Sequence, residues 1–241
     1  MERLQKVIAN SGFCSRRKAE EYILSGKVYV DGIKVNELGT KVSGSEVIVV
    51  DGVTLQKEIK KVYYLLNKPS GYICSLSDEK GRKVVTELID TKERIYPVGR
   101  LDYDTTGLLI LTNDGEFANI LMHPSNVVEK LYRATIDSML TNEEIYKLKD
   151  GIDIDGIKVI PSRVKIRNKN NNKNTEVVEI GIVEGRNHIV KRIFESMGHK
   201  VIKLKREKYA FLEIENIPTG GYRNLTINEV KKLYNLKKSS K

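Results

Sequence analysis

The sequence predicts an α+β protein, in which a small N-terminal α/β module precedes a larger domain with a mixed, mainly antiparallel sheet flanked by helices. Apolar runs with strand character do not alternate strictly with helical segments, and several of them look like hairpin pairs. Hydrophobic residues make up 40% of the 241 residues, which is enough apolar material for a packed core. At roughly 150 residues per domain, this length fits one large domain or two of unequal size.

Residues 1–60 carry the pattern of the small module. Apolar residues near the start have helical spacing, and a second helix is predicted in SRRKAEEYILSG, where Ser15 caps the start and Gly26 marks the end. The segment KVYVDGIKVN then alternates around Asp31-Gly32, which is a strong signal for a hairpin turn. VIVVDG is a further short strand and turn.

Residues 61–236 are predicted to form the larger domain, after the charged linker QKEIKK. Its predicted strands are VYYLL, GLLILT, KLYRATI, SRVKIR and VVEIGIVE, and its predicted helices are EFANILMH, NEEIYKLKD, NHIVKRIFESMG and INEVKKLYNL. The polar segment 168–176 is expected to be a flexible hairpin tip, and residues 237–241 a disordered basic tail.

The charge balance favours a polyanionic partner. The formal net charge is +10 and the pI is about 9.4, which favours nucleic acid over a membrane surface. No apolar run is long enough to span a bilayer and the N-terminus lacks a signal-peptide stretch, so a cytoplasmic location is expected. The two cysteines are far apart and the three histidines are scattered, so neither a disulfide framework nor a metal site is predicted.

The densest cluster of reactive side chains is YPVGRLDYDTTGLLILTNDG, residues 96–115. Where the backbone is extended, Arg100 and Asp102 project to the same side, because side chains alternate with period two. An arginine beside a carboxylate keeps it ionised and oriented, and such a carboxylate can act as nucleophile or general base. The same residue types also suit a turn in which Asp and Thr side chains bind the local backbone.

Two other chemistries could use this segment. Asp102, Asp104, Thr106 and Gly107 match the spacing of an EF-hand calcium loop, but Asn113 stands where its glutamate is required. The run Asp-Tyr-Asp-Thr-Thr looks superficially like the haloacid-dehalogenase phosphatase signature. That signature follows an uninterrupted hydrophobic strand, whereas proline, glycine and arginine interrupt the preceding strand here.

The run LQKVIANSGFCSRRKAEEYILSGKVYVDGIKV resembles the RNA-binding domain of ribosomal protein S4. In that family the basic helix lies against RNA phosphate, so the resemblance implies that Arg16, Arg17 and Lys18 bind RNA. From charge alone, the same cluster would equally fit a solvated helix face.

The string GRLDYDTTGLLILTNDGEFAN resembles the catalytic motif of rRNA pseudouridine synthases of the RsuA/RluB family. LLNKPSGYICS, EKLYRATI and EGRNHIVKRIFESMGHKVIKLKR match that family in the same order, so the resemblance covers nearly the whole chain. The chain departs from the family at Ile110, where many members have leucine. It also has Ile-Val-Lys in NHIVKR, where Gln-Val-Arg is common.

This resemblance implies an enzyme that isomerises a uridine of ribosomal RNA to pseudouridine without a cofactor or metal. Asp102 corresponds to the catalytic aspartate and Arg100 to the arginine near it. Tyr132 corresponds to the tyrosine that packs against the target base, Arg186 to the basic residue that pairs with the aspartate, and Leu204 to an apolar residue of the pocket.

The expected partner is 23S rRNA or a pre-ribosomal particle, because the string looks closer to the large-subunit branch of the family. The alternatives are 16S rRNA, or a non-enzymatic assembly factor that binds rRNA. The chain is expected to act as a monomer and away from membranes.

Residues 186–208 contain eight lysines and arginines against two acids, a net charge of +6. Such a segment is expected to contact RNA phosphates, which positions RNA without reading its sequence and makes binding fall steeply with salt. The residues expected to do so are Lys191, Arg192, Lys203, Lys205 and Arg206. His188 and His199 are assigned structural or RNA-contact roles.

Overall fold

A computed structural model describes residues 1–56 and 59–236 of the chain. The chain forms two compact units, of which the first contains residues 1–62, 91–95 and 113–115, and the second contains the rest. The predicted basic tail, residues 237–241, lies outside the described residues, as do residues 57 and 58 of the predicted linker. In the described ranges, no helix is long and apolar enough to cross a membrane.

The first unit combines two helices with short strands. Its elements are β1 (Glu2–Arg3), α1 (Leu4–Asn10), α2 (Arg16–Leu24), β2 (Val28–Val30), β3 (Ile33–Val35), β4 (Lys41–Val42), β5 (Ile48–Val50) and β6 (Val53–Thr54). Four of the strands form an antiparallel sheet in the order β3-β2-β5-β6, and β1 pairs with β4.

Local signals of the sequence account for this unit. The Ser15 side chain accepts a hydrogen bond from the Lys18 backbone N–H and caps α2, as predicted. Asp31 and Gly32 have φ values of 48° and 79°, the left-handed geometry that a two-residue hairpin between β2 and β3 requires. Helix α2 buries Ala19 and Ile23, and its basic cluster Arg16–Lys18 is exposed.

The second unit is built on a large sheet. Its elements are β7 (Tyr63–Lys68), β8 (Tyr96–Pro97), β9 (Thr106–Thr112), α3 (Gly115–Met122), β10 (Lys130–Ile136), α4 (Asn142–Asp150), β11 (Ile152–Ile154), β12 (Ile157–Val159), β13 (Arg163–Asn170), β14 (Thr175–Ile182), α5 (Ile189–Glu195), β15 (Val201–Tyr209), β16 (Leu212–Glu213), β17 (Tyr222–Asn224) and α6 (Ile227–Tyr234). Short 3-10 helices lie at Val85–Leu88 and Asn171–Lys173.

The main sheet runs in the order β13-β14-β10-β15-β9-β7-β17, with β16 added to β15 and β8 added to β9. All of its strand pairs are antiparallel except β15 with β9, so the α+β prediction with a mixed, mainly antiparallel sheet is confirmed. The polar segment 168–176 forms the end of the β13–β14 hairpin. Strand β15 was not predicted as a strand, because five of its nine residues are charged.

Strand β9 lies between β15 and β7 in the sheet and directly follows the segment that contains Asp102. Residues 108–111 are fully buried, which explains why the strand reads as a continuous apolar run. Leu108 and Ile110 belong to the core cluster that also contains Phe117 and Leu121 of α3. The segment 98–105 leads into this rigid strand.

The parallel junction between β9 and β15 requires a glycine. Gly107 lies opposite Arg206 with a φ of 106°, and a Cβ atom added there would lie 2.1 Å from the Arg206 carbonyl oxygen. The close approach places the Arg206 side chain beside the start of β9.

Candidate active site

The second unit contains a cavity of about 820 Å³. Four residues that the sequence proposed as site residues line it together, namely Arg100, Asp102, Tyr132 and Arg186. Lys130, His188 and Arg206 are further residues of its wall. A cleft of this size, with a carboxylate and several cations in its wall, has the dimensions of a small-molecule or nucleotide site.

A buried lysine fixes the loop that carries Asp102. Lys68, the last residue of β7, is fully buried, and its Nζ donates to the carbonyl oxygens of Asp102 at 3.0 Å and Thr105 at 2.9 Å. It also lies 3.4 Å from the carbonyl oxygen of Tyr103, to which the Gly71 N–H donates at 2.8 Å. Burial lowers the pKa of Lys68. Because one ammonium satisfies several carbonyl groups, the loop has little freedom to move.

The Asp102 carboxylate faces two basic side chains. Its Oδ1 lies 3.2 Å from His188 Nε2, and its Oδ2 lies 3.4 Å from Lys191 Nζ. Thr105 Oγ1 lies 3.5 Å from Oδ2. The Asp102 side chain is 23% exposed, so a ligand in the cavity can reach the carboxylate.

Both basic groups lie at the start of helix α5. His188 adopts the left-handed conformation, with a φ of 53°, directly before the helix, and Lys191 follows three residues later on the same side. Lys191 Nζ also binds both oxygens of Asp104, at 2.7 and 2.9 Å. Burial alone would lower the pKa of Lys191, but Asp104 and Asp102 outweigh burial and raise it. The hydrogen bond from Lys191 in turn lowers the pKa of Asp104.

The structure corrects the pairing predicted for Arg186 and Arg100. Arg186 binds the Glu184 carboxylate and the Ile154 carbonyl oxygen. The positive charge of Arg186 is therefore balanced by Glu184 and not by Asp102. Arg100 is exposed, and residues 100–105 lie outside any strand, so the extended backbone that the alternation argument assumed is not formed there. Within residues 1–56 and 59–236, neither arginine is among the ion-pair partners of Asp102.

Tyr132 and Arg206 lie opposite each other on β10 and β15. Arg206 is 2% exposed, and its Nε donates to the Leu108 carbonyl oxygen at 2.7 Å, while Nη1 lies 3.5 Å from Tyr132 Oη. Arg206 was predicted to contact RNA phosphate, and it stays a prediction as an RNA contact; the structure places its side chain in the buried wall of the cavity.

Leu204 also differs from the prediction. It is 7% exposed and lies on the same face of β15 as Arg206, but it is absent from the cavity wall. Its backbone pairs with Ala134 of β10.

The remaining basic residues stay predictions as RNA contacts. Lys203 is exposed, Lys205 is half-buried, and Arg192 forms an ion pair with Asp155. His199 has the structural role considered for it, because it is buried and binds Ser138 and Glu144 at 2.6 and 3.1 Å.

Sequence reasoning missed His188 and Lys68 as parts of the site. The three-residue spacing of His188 and Lys191 on a predicted helix was an available signal for His188. Nothing in the local sequence indicates that Lys68, beside Pro69, is buried under a loop more than 30 residues later.

Comparison with known proteins identifies the family of the chain. A family model described as RNA pseudouridylate synthase matches residues 62–196, and a model of the S4 domain matches residues 2–48. The chain belongs to the RNA pseudouridylate synthase family and is an RNA pseudouridine synthase with an N-terminal S4 domain.

Similar proteins match along nearly their whole length. The chain is 52% identical over 234 residues to the ribosomal large subunit pseudouridine synthase B of Bacillus subtilis (strain 168), covering 97% of this chain and 96% of the relative. An uncharacterized RNA pseudouridine synthase of Aquifex aeolicus (strain VF5) is 40% identical, with 96% and 93% covered. A crystal structure of a pseudouridylate synthase superposes with a TM-score of 0.66 at 30% identity, covering 97% of this chain and 100% of that chain.

Proposed function

We propose that this enzyme converts a uridine of 23S rRNA to pseudouridine, with Asp102 as the catalytic group. The observation that carries the proposal is the placement of the Asp102 carboxylate on the cavity wall, held by His188 and Lys191 and sharing the cavity with Tyr132. A carboxylate kept in place by two basic groups and reachable from a cleft suits chemistry on a nucleotide that has left its helix.

The entry of the target nucleotide into the cavity gives Tyr132 a role in binding the base. Taking a base out of its stack costs a few kcal/mol, and stacking on an aromatic ring returns about 1–3 kcal/mol per base. Tyr132 lies in the cavity wall, and its hydroxyl lies 3.5 Å from Arg206 Nη1, a contact that restrains the ring. The tyrosine therefore can receive the uracil while Asp102 acts on the ribose.

The reaction rearranges bonds within one nucleotide. The bond between uracil N1 and ribose C1′ breaks, the uracil turns in the cavity, and C5 bonds to C1′. Asp102 can promote this by attacking C1′ or by removing the proton at the 2′ position. Lys191 and His188 hold the carboxylate in position for either route.

Two observations support ribosomal RNA as the substrate. The Bacillus relative is named for the ribosomal large subunit, which favours 23S over 16S rRNA. The exposed Arg16–Lys18 cluster of the S4 domain supplies basic groups for phosphate contacts. We also propose that one copy of the chain suffices, because all residues lining the cavity come from the second unit.

A comparison of pseudouridine maps tests this function. Ribosomal RNA from the source strain and from a strain lacking the gene would be labelled chemically and sequenced. We expect loss of pseudouridine at a 23S position in the deletion strain, with recovery from the wild-type gene but not from Asp102→Asn. A loss confined to 16S rRNA would contradict the proposed substrate, and identical maps would contradict the proposed function.

A further inference from the structure

Two cations line the cavity, of which Arg206 is buried and Lys130 is half-buried. Arg206 is 2% exposed, and Lys130 at the start of β10 lies against the same cavity. Lys130 Nζ donates to the carbonyl oxygens of Val183 at 3.2 Å and Glu184 at 3.4 Å. In the part of the chain that the structure describes, neither cation forms an ion pair with a carboxylate.

The Arg206 guanidinium retains an unused donor. Its Nε and Nη1 have partners, but Nη2 is buried without a hydrogen-bond partner. A buried cation next to another cation is unfavourable unless something compensates its charge. An orphaned buried donor at a cavity likewise indicates a ligand that supplies the missing acceptor. Both features point to a ligand that carries negative charge or exposes oxygen atoms.

We propose that Arg206 and Lys130 bind the uracil while it is detached from the ribose and stabilise the negative charge on its oxygens. This inference rests on the proposed function. When the N1–C1′ bond breaks, the bonding electron pair stays on the uracil and spreads to O2 and O4. The C5–C1′ bond then forms, C5 loses its proton and N1 gains one. Negative charge on the uracil is therefore largest after the N1–C1′ bond has broken and before the C5–C1′ bond has formed. Cations that contact the uracil at this stage accelerate the reaction most.

The positions of these cations favour the base over the RNA phosphates. Arg206 Nη1 lies 3.5 Å from the hydroxyl of Tyr132, the residue proposed to stack on the base. The Tyr209 ring lies 5.2 Å from the Arg206 guanidinium carbon and 5.7 Å from Lys130 Nζ, and its hydroxyl donates to the Leu121 carbonyl oxygen at 2.8 Å. Burial raises the pKa of Tyr209 to about 12, so the phenol stays neutral and does not neutralise the two cations.

The charge on Lys130 is sensitive to pH. Burial, and next the Arg206 charge, lower the pKa of Lys130 to about 8, while Glu184 opposes this shift. The other titratable groups of the cavity wall are the phenols of Tyr132 and Tyr209, together with Cys74, Arg100, Asp102, His123, Arg186 and His188. Lys130 thus loses its proton as the pH rises above about 8, and the stabilisation of the uracil should be lost with it.

Single-turnover kinetics with the full-length enzyme test the inference. The substrate is rRNA from the deletion strain, at saturating enzyme, with RNA affinity measured separately by filter binding. We expect Lys130→Gln to slow the reaction at least about 30-fold while the Kd for RNA changes less than about threefold. Lys130→Arg keeps the charge and should retain most of the rate. Lys149→Gln, a matched change at an exposed lysine of α4, should behave as wild type.

The outcomes separate this inference from the proposed function. If Lys130→Gln weakens RNA binding but reaches the wild-type rate at saturation, the cations hold phosphate and the inference is overturned. If wild-type protein forms no pseudouridine, the proposed function itself fails. If the Gln variant does not fold, pH profiles decide: the wild-type rate should fall above about pH 8 and that of Lys130→Arg should not. Identical profiles would overturn the inference.

Discussion

At the scale of single residues, the Asp102 carboxylate, which we propose as the catalytic group, belongs to a short series of acidic and basic side chains in contact. Lys191 Nζ contacts both Asp104 and Oδ2 of Asp102, and His188 Nε2 contacts Oδ1 of Asp102. Because Asp104 binds Lys191 at shorter distances than Asp102 does, Asp104 is a positioning residue that fixes the ammonium. Lys191 in turn contacts the Asp102 carboxylate and orients it.

This order of dependence predicts unequal effects of two substitutions. Lys191→Met should lower the single-turnover rate about 10- to 100-fold, because one charge-assisted contact to Asp102 is lost. Asp104→Asn should lower it less than about tenfold, because the amide oxygen can still accept from Lys191. The rate would be measured on rRNA from the deletion strain. A larger loss for Asp104→Asn than for Lys191→Met would contradict this order.

Among single residues, the sequence predicted Asp102 but not the basic side chains that contact it. Asp102 and Tyr132 were found through sequence motifs, and both line the cavity. The partner of Asp102 was assigned to Arg186, which instead pairs with Glu184. A local motif cannot show that His188 contacts Asp102 instead, because the direction of the His188 side chain depends on the left-handed backbone conformation of that residue.

At the scale of elements, the site depends on the one parallel strand pair of the main sheet, as far as the chain is described. Strand β9 follows the Asp102 loop, and β15 carries Arg206. The two strands approach so closely at Gly107 that a side chain there would overlap the Arg206 backbone. The junction therefore links the loop that carries Asp102 to the buried guanidinium of Arg206.

Gly107→Ala should therefore destabilise the second unit strongly. The added Cβ would lie 2.1 Å from the Arg206 carbonyl oxygen, and the φ of 106° is unfavourable for alanine. We expect a loss of about 3 kcal/mol or more in the free energy of unfolding, measured by urea denaturation. Gly185→Ala is the control, because its added Cβ meets no atom within 4 Å. Equal stability of the two variants would contradict the described packing.

The start of α6 gives a pH-dependent prediction. The hydrogen bond from Arg223 and the Thr226 backbone N–H lower the pKa of Glu229 to about 2. A carboxyl whose folded pKa is depressed stabilises the protein above its unfolded pKa, and this contribution is lost as the pH falls through the folded pKa.

Glu229→Gln should therefore cost about 2 kcal/mol at pH 7, and this difference should shrink between about pH 4.5 and pH 2. Thermal or urea unfolding across that range measures it. Glu143→Gln, an exposed first-turn residue of α4, is the matched control and should have little effect. A difference that stays constant down to pH 2 would contradict the assigned pKa shift.

Elements with local signals were the predictable part of the fold. The Ser15 cap and the Asp31-Gly32 turn specify their structures within a few residues. Strand β15 has no such signal, because its charged residues are accommodated only after it pairs with β10 and β9. The burial of Arg206 was unpredictable for the same reason, since it follows from the pairing of β15 with distant strands.

At the scale of the whole molecule, the formal charge of +10 governs binding to RNA more than chemistry. The basic cluster of α2 is exposed, whereas Arg206 is buried in the cavity wall. Affinity and catalysis should therefore respond to different substitutions.

Replacing Arg16, Arg17 and Lys18 by glutamine should weaken RNA binding and reduce its dependence on salt. Each lost phosphate contact lowers the slope of log K against log salt by about 0.7–0.9, so a reduction of about 2 is expected. Lys18 already pairs with Glu21, so it should contribute least. Filter binding between about 50 and 200 mM salt measures the slope. An unchanged slope would show that the cluster is a solvated helix face.

The most direct test of the account is the reaction of Asp102→Asn with purified rRNA from the deletion strain. We expect pseudouridine formation to fall at least about 1,000-fold, because the amide can serve neither as nucleophile nor as base. Thermal stability and RNA affinity should stay close to wild type, since the side chain is partly exposed and lies in a cavity. Wild-type turnover by a folded Asp102→Asn protein would contradict the account.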